Sequence, residues 1–341
     1  MNACNQFSKF VACISYAVDP LGARLLCGWF GPSSFVQEAR LTSYPRTPLG
    51  RLSGMTTLTP RPPSPSPALH RGYISALVLG GALATGCAAG EKGYPPVNGV
   101  RLYYEVHGPS GDSGIPLVLL HGGGSTFETS FGEILPGLSR GRRVIVYDRQ
   151  GHGRTADVDR PFSFRQSAED AVGLLHTLGV SQADFMGFSN GGQIALQIAL
   201  SHPDVVRKLV IESAMFGREG ADPAFWEGFD HARLEDTPAE LREEYLRVAP
   251  RPADLTSMFW KSVNQMKSFE GWSPEQIRTI RAPALVLLGD RDVVRPEHGV
   301  ALYRLLPQAQ LAILPDTDHR AICHPPAWLP TLIASFLDAP V

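Results

Sequence analysis

The sequence predicts an α/β protein: a mostly parallel central sheet covered by helices on both faces, with a helical cap inserted late in the chain. Three features of the sequence predict it. Short apolar, β-branched runs recur from residue 97 onward, stretches with helical spacing separate most of them, and one aromatic-rich segment breaks the alternation. Strand, helix, strand in succession implies parallel pairing, because a parallel crossover needs about the length of a helix to return to the same end of the sheet.

The strand-like runs are Arg101–Val106, Pro116–Leu120, Val144–Tyr147, Ala183–Gly187, Leu209–Glu212, Ala284–Leu288 and Leu311–Leu314. Leu117-Val118-Leu119-Leu120 is apolar at every position, as a strand buried on both faces requires. Between runs, Ala171, Leu174, Leu175 and Leu178 repeat at helical intervals behind a Ser163/Gln166 capping pair. Residues 216–281 depart from this pattern: they hold helix-like pieces such as Pro238–Arg247 and three of the five tryptophans. A helical cap over the C-terminal edge of the sheet accounts for both the position and the composition. Most of its rings would hold the cap together; Phe225, Trp226, Phe259 and Trp260 are the candidates for lining a substrate pocket.

Residues 1–96 read differently and are expected to be a disordered leader. Seven prolines fall within residues 41–67, ending in Pro60-Arg61-Pro62-Pro63-Ser64-Pro65-Ser66-Pro67, a polyproline-type linker composition. The apolar stretch Ile74–Cys87 is too short to span a membrane. It resembles a signal-peptide core, and Ala84-Thr85-Gly86-Cys87 resembles a bacterial lipoprotein cleavage box, although it lies far from Met1. The expectation is a cytoplasmic enzyme with an unstructured leader. The alternative is an exported protein carrying a lipid anchor at Cys87, with translation starting at Met55.

Composition narrows the partners. Thirty-one basic and thirty-three acidic residues give a formal net charge of −2, which offers no basic footprint for nucleic acid. Four of the five cysteines precede residue 88, so the single Cys323 beyond them cannot staple the remainder. No cluster has zinc spacing, and neither a metal nor a cofactor is expected. A neutral or weakly polar small molecule is the expected ligand.

The strongest chemical signal is Gly187-Phe188-Ser189-Asn190-Gly191-Gly192, between the run Ala183–Gly187 and the helical stretch Gln193–Leu200. This is the strand–turn–helix setting of a G-x-S-x-G nucleophile elbow. The serine occupies a strained, sharp turn, and glycines on either side remove the side chains that would clash. The following helix then points its positive N-terminal end at a developing oxyanion. A second motif, His121-Gly122-Gly123-Gly124-Ser125, follows Leu117–Leu120 directly. A third, Asp148-Arg149-Gln150-Gly151-His152-Gly153-Arg154-Thr155, follows Val144–Tyr147 and reads as scaffold, with His152 an ordinary loop histidine.

Together these motifs resemble the α/β-hydrolase superfamily over residues 97–341, with cores at 97–215 and 282–341 and the cap at 216–281 following the sixth strand of that fold. The resemblance implies a serine hydrolase. It places oxyanion-hole N–H donors at Gly123 and Asn190, with His121 bracing the glycine loop. Chain order in the family is serine, acid, histidine. Its patterns put the acid at Asp292 in Gly289-Asp290-Arg291-Asp292, with Asp290 and Glu212 as alternatives, and the base at His319. Asp318 stands beside His319 where the family usually has glycine.

Ser189 at the elbow excludes the relatives that need a carboxylate nucleophile there. Acyl transfer to water, cleaving an ester or lactone, is the simplest reaction for these residues. The stretches Asp148–Arg160, Phe185–Ala214 and Arg295–Ala312 further resemble serine-dependent macrolide esterases, which implies a macrolide lactone as one candidate substrate. Other reactions of the superfamily remain open: general carboxylester hydrolysis, proline-releasing aminopeptidase action, C–C bond hydrolysis and cofactor-free haloperoxidation. So does a ligand-binding receptor on the same fold.

Overall fold

The computed structural model describes residues 90–109 and 114–341. The Pro-rich stretch, Met55 and Cys87 lie outside the described residues. Eight strands form one sheet: β1 (Lys92–Gly93), β2 (Tyr104–His107), β3 (Leu117–Leu120), β4 (Val144–Tyr147), β5 (Ala183–Phe188), β6 (Val206–Glu212), β7 (Ala284–Arg291) and β8 (Ala309–Asp318). Their spatial order is β1-β2-β4-β3-β5-β6-β7-β8. The first two strands join antiparallel, β1 to β2 and β2 to β4; every later pairing is parallel. The α/β-hydrolase architecture is therefore present, and the cap follows β6, the sixth strand of this sheet.

Residues 90–96 belong to the folded unit rather than to a leader. Glu91 O accepts from Val106 N at 2.7 Å, Glu91 Oε1 from Tyr104 Oη at 2.7 Å, and Lys92–Gly93 pairs with Tyr104–Glu105. A two-residue strand leaves no alternation to read, which is why the sequence pattern begins too late. The run Arg101–Val106 also divides. Pro96–Val97 and Val100–Arg101 make a separate hairpin, turning at Asn98 (φ 48°) and Gly99 (φ 84°). Two successive positive φ values define the Asn-Gly turn that suits a two-residue hairpin.

Period-two alternation sends neighbouring strand residues to opposite faces. Val118 and Leu120 join one buried cluster with Ile145, Phe185 and Leu209; Leu117 and Leu119 join the other with Val146, Met186 and Leu287. The first face is covered by α1 (Phe164–Thr177), α2 (Asn190–Ser201) and α5 (Pro296–Leu305), after α3 (Ala239–Val248) and α4 (Leu255–Lys267) of the cap. The second is covered by α6 (Leu329–Asp338), which buries Leu329, Ile333, Phe336 and Leu337. Buried Lys208 on β6 fastens the end of α6 by donating to Phe336 O at 2.8 Å and Leu337 O at 3.2 Å. A cation there meets the negative end of the helix. At the start of α1, Ser163 Oγ accepts from Gln166 N at 3.0 Å, while the Gln166 side chain donates to Asp170 instead of returning to the cap.

Candidate active site

Ser189 ends β5 and begins α2, with φ 52° and ψ −122°. A non-glycine residue rarely adopts this conformation, and the fixed elements on either side hold it there. A Cβ on Gly187 would lie 2.1 Å from Gly191 O, and one on Gly191 would lie 1.8 Å from Leu120 O. The turn can close this tightly only because both positions lack side chains. The Ser189 N–H is tied to Glu212 O on β6 at 2.9 Å.

Three residues distant in sequence meet at this point. His319 Nε2 lies 3.0 Å from Ser189 Oγ, and His319 Nδ1 lies 2.7 Å from Asp292 Oδ1. Asp292 Oδ2 accepts from Ser213 Oγ at 2.5 Å, and Oδ1 accepts from Val294 N at 3.1 Å. Burial opposes ionisation of Asp292, but the bonds from His319, Ser213 and Val294 outweigh it and hold the carboxyl below the usual range. Phe188 packs against the His319 ring at a centroid distance of 5.0 Å.

The structure distinguishes the acid positions that the sequence left open. Asp290 is turned away, accepting from Thr317 N at 3.1 Å. Glu212 is buried, and burial, with Asp292 nearby, pushes its carboxyl up to about 8. Asp318 also faces away from the imidazole: its Oδ1 accepts from Arg320 N at 2.9 Å and Ala321 N at 2.8 Å, which shapes the turn after His319.

The glycine loop is braced from beneath. Gly122 N donates to Ser130 Oγ at 3.1 Å and Gly124 N to His152 Nε2 at 3.3 Å, which leaves the Gly123 N–H without a partner among the described residues. Gly123 and Asn190 both line the cavity over Ser189. Asn190 opens α2, where backbone N–H groups have no intrahelical acceptor. The carbonyl of the 122–123 peptide is held twice, by Arg149 Nη2 at 2.9 Å and His121 Nδ1 at 2.8 Å. Two donors on that oxygen fix the peptide and polarise its N–H, which is the one at Gly123. His152 is thus no ordinary loop histidine. It is fully enclosed, and burial, with the Arg149 charge beside it, lowers its pKa to about 3, so it remains a neutral acceptor for Gly124.

A cavity of about 420 Å³ opens above Ser189, between the C-terminal ends of the strands and the cap. Phe225 and Phe259 line it; Trp226 and Trp260 do not. Trp226 is buried in the base of the cap, donating Nε1 to Arg218 O at 2.7 Å beneath the Arg218 guanidinium, and Trp260 is 47% exposed. The stripe Leu255, Met258, Phe259, Ser262, Val263 and Met266 on α4 faces the cavity. Its spacing of three and four residues was readable in the sequence, and Trp260 falls off that stripe. Phe229, another of the cap's aromatic rings, lines the cavity as well, and so do Gln193 and Arg242, without a sequence signal that singled those two out. Among the described residues no three His, Cys, Asp or Glu side chains group as metal ligands.

Fold and site together define a hydrolase of the alpha/beta hydrolase fold. A profile of that family matches residues 115–323, and the chain belongs to it. Among curated relatives, the chain is 29% identical to a 2-hydroxymuconate semialdehyde hydrolase of Pseudomonas sp. (strain CF600) over 66% of its own length and 87% of the relative's. It is 30% identical to a putative carbamate hydrolase RutD of Caulobacter sp. (strain K31), over 70% and 96% respectively. Among solved structures, Est816, described as an N-acyl homoserine lactone degrading enzyme, superposes with a TM-score of 0.59 at 26% identity, covering 72% of this chain and 100% of that one.

Proposed function

We propose that this hydrolase cleaves a carboxylic ester or lactone through an acyl-enzyme on Ser189. The observation that carries the reading is the unbroken chain Ser189–His319–Asp292, set beside a Gly123 N–H that has no partner among the described residues. His319 takes the hydroxyl proton as Ser189 Oγ attacks the carbonyl, and Asp292 holds the imidazole by its other nitrogen. The Gly123 and Asn190 N–H groups receive the oxyanion. Collapse of the adduct breaks the C–O bond, and the departing alkoxide takes the proton from His319. Water then attacks the acyl-enzyme by the same route and regenerates Ser189.

The substrate is the finer question. The Est816 resemblance supports a lactone or ester. The two curated relatives favour a second reading within the fold, hydrolysis of a carbamate or of a C–C bond. A cavity near 420 Å³ lies toward the small end of the range for ligand sites and suits a modest acyl group. A macrolide ring, suggested by the sequence stretches and the aromatic cap, is a much bulkier candidate, and a cavity of this volume does not favour it.

A hydrolysis panel read by mass spectrometry tests this, with simple esters, N-acyl homoserine lactones, carbamates and a macrolide offered to the wild type and to Ser189→Ala. The expected result is a gain of one water by an ester or lactone, with turnover falling by about three orders of magnitude or more in Ser189→Ala. Near-normal turnover in that variant would overturn the mechanism. A macrolide opened only by the wild type would establish the narrower reading.

A further inference from the structure

The two edges of the sheet are built differently. β1 ends it on one side with two residues, one of them the exposed Lys92, and Pro95-Pro96 follows. Shortness, charge and proline are the usual guards against pairing with another chain. β8 ends the sheet on the other side and pairs only with β7 among the described residues. Its segment Ala309-Gln310-Leu311-Ala312-Ile313-Leu314 carries no charge and no proline, and its register irregularity comes only after Leu314. Ile313, in this segment, is 38% exposed.

The ladder shows which backbone groups are free. Gln308 O accepts from Ala284 N at 2.8 Å, so the N–H and C=O of Gln310, Ala312 and Leu314 also turn toward β7. Those of Ala309, Leu311 and Ile313 turn outward, and they have no partner among the described residues. Pro307 and Pro315 stand equally far from Leu311 on either side. A two-fold axis at Leu311 therefore sets Leu311 opposite its own copy, Ala309 opposite Ile313, and proline opposite proline. In that register each outward donor meets an outward acceptor, and the positions without an N–H face each other. Charge has the same symmetry. Exposed Arg304 precedes the strand, and exposed Arg281 adjoins its start, where the Arg281 carbonyl accepts from Gln308 Nε2 at 3.3 Å. Exposed Asp316 and Asp318 stand at its end, with Arg291 bonded to Asp316 at 2.7 Å. Antiparallel pairing lays the basic start of one strand against the acidic end of the other.

We propose that β8 is a dimer interface, the edge strands of two copies pairing antiparallel about a two-fold axis at Leu311 and joining two sheets into one. An isologous contact of this kind covers both edges and closes on itself, so it does not propagate into a fibre. The two catalytic cavities then open at opposite ends of the joint sheet, because antiparallel pairing points the strand ends in opposite directions.

Sedimentation velocity on the full chain tests this, with the wild type expected to run as a dimer at micromolar concentration. Ile313→Pro removes an outward N–H and leaves the bonds to β7 in place, as an edge strand tolerates. Arg304→Glu sets acid against acid without touching the backbone, so it reads the interface even if the proline disturbs the fold. Each should weaken the dimer by about tenfold or more. Amide hydrogen exchange adds a second readout: residues 309–314 should be protected in the dimer and exchange faster on dilution. A monomeric wild type would overturn the proposal. So would a dimer that both variants leave intact, or one whose amides at 309–314 gain no protection.

Discussion

Buried charge is where single residues have the most influence in this protein. Glu212 sits in the fold with its carboxyl pushed up to about 8, against an ordinary value of 4.5. The folded state therefore holds a proton that the unfolded chain releases, and stability falls as pH rises from about 4.5 to about 8. Asp148, raised to about 7 by burial, adds to the same slope, whereas Asp292 acts only at the acid end. Glu212→Gln should flatten the fall in Tm between pH 5 and pH 8.5 relative to the wild type. Equal slopes in the two proteins would show that Glu212 is not protonated in the fold. Arg149 makes a second prediction at this scale. Its guanidinium is enclosed with no carboxylate against it among the described residues, and burial lowers its pKa to about 10. What it holds is Gly122 O, the carbonyl end of the peptide whose N–H, at Gly123, is proposed above to receive the oxyanion. Arg149→Met should lower kcat about tenfold or more with KM little changed, since that N–H acts chiefly in the transition state. Arg149→Lys should recover part of the loss. Steady-state kinetics on any substrate found active decides it, and an equal rise in KM would assign Arg149 to ground-state binding.

Among the elements, the cap shows how far helical periodicity can be read. The α4 stripe from Leu255 to Met266 marks a buried face, but the same pattern would serve a helix packed on core or on an empty cavity. Composition suggested that a few of the cap's large rings line the pocket, and two of the four candidates do not. Trp226 packs with Phe225, Phe229 and Phe269, and Trp260 points to solvent. Trp226→Ala should destabilise the protein by about 3 kcal/mol or more, as expected for a large buried ring. Trp260→Ala should stay within about 0.5 kcal/mol of the wild type. Denaturant melts of the two variants measure both, and a comparable loss in each would mean that Trp260 is covered in solution. The N-terminal edge shows the opposite failure. β1 escaped notice because two residues carry no periodicity, although the Asn98-Gly99 turn close by was a legible hairpin signal.

For the whole molecule, the prediction concerns where the folded unit begins. Glu91 and Lys92 bond β2, and Leu102 N donates to Pro95 O at 3.1 Å, so the sheet's edge is built partly from residues 90–96. A chain starting at residue 90 keeps these contacts. One starting at residue 97 should melt several degrees lower, having lost the edge strand and the Glu91–Tyr104 bond. Identical melting temperatures for the two would make β1 dispensable.

The sequence alone determined the fold class and the positions of Ser189, the glycine loop and His319. Each of these is encoded locally: a turn that only glycines permit, a helix start, a strand end. Tertiary structure alone decided which carboxylate meets His319, since Asp290, Asp292 and Glu212 all lie near strand ends, and only the path after β7 brings one of them to the imidazole. It also decided that Phe225 and Phe259 face the cavity and that His152 props the loop. Periodicity records that a side chain is buried. What it is buried against depends on contacts between residues tens to hundreds of positions apart, and those exist only once the sheet has brought the segments together.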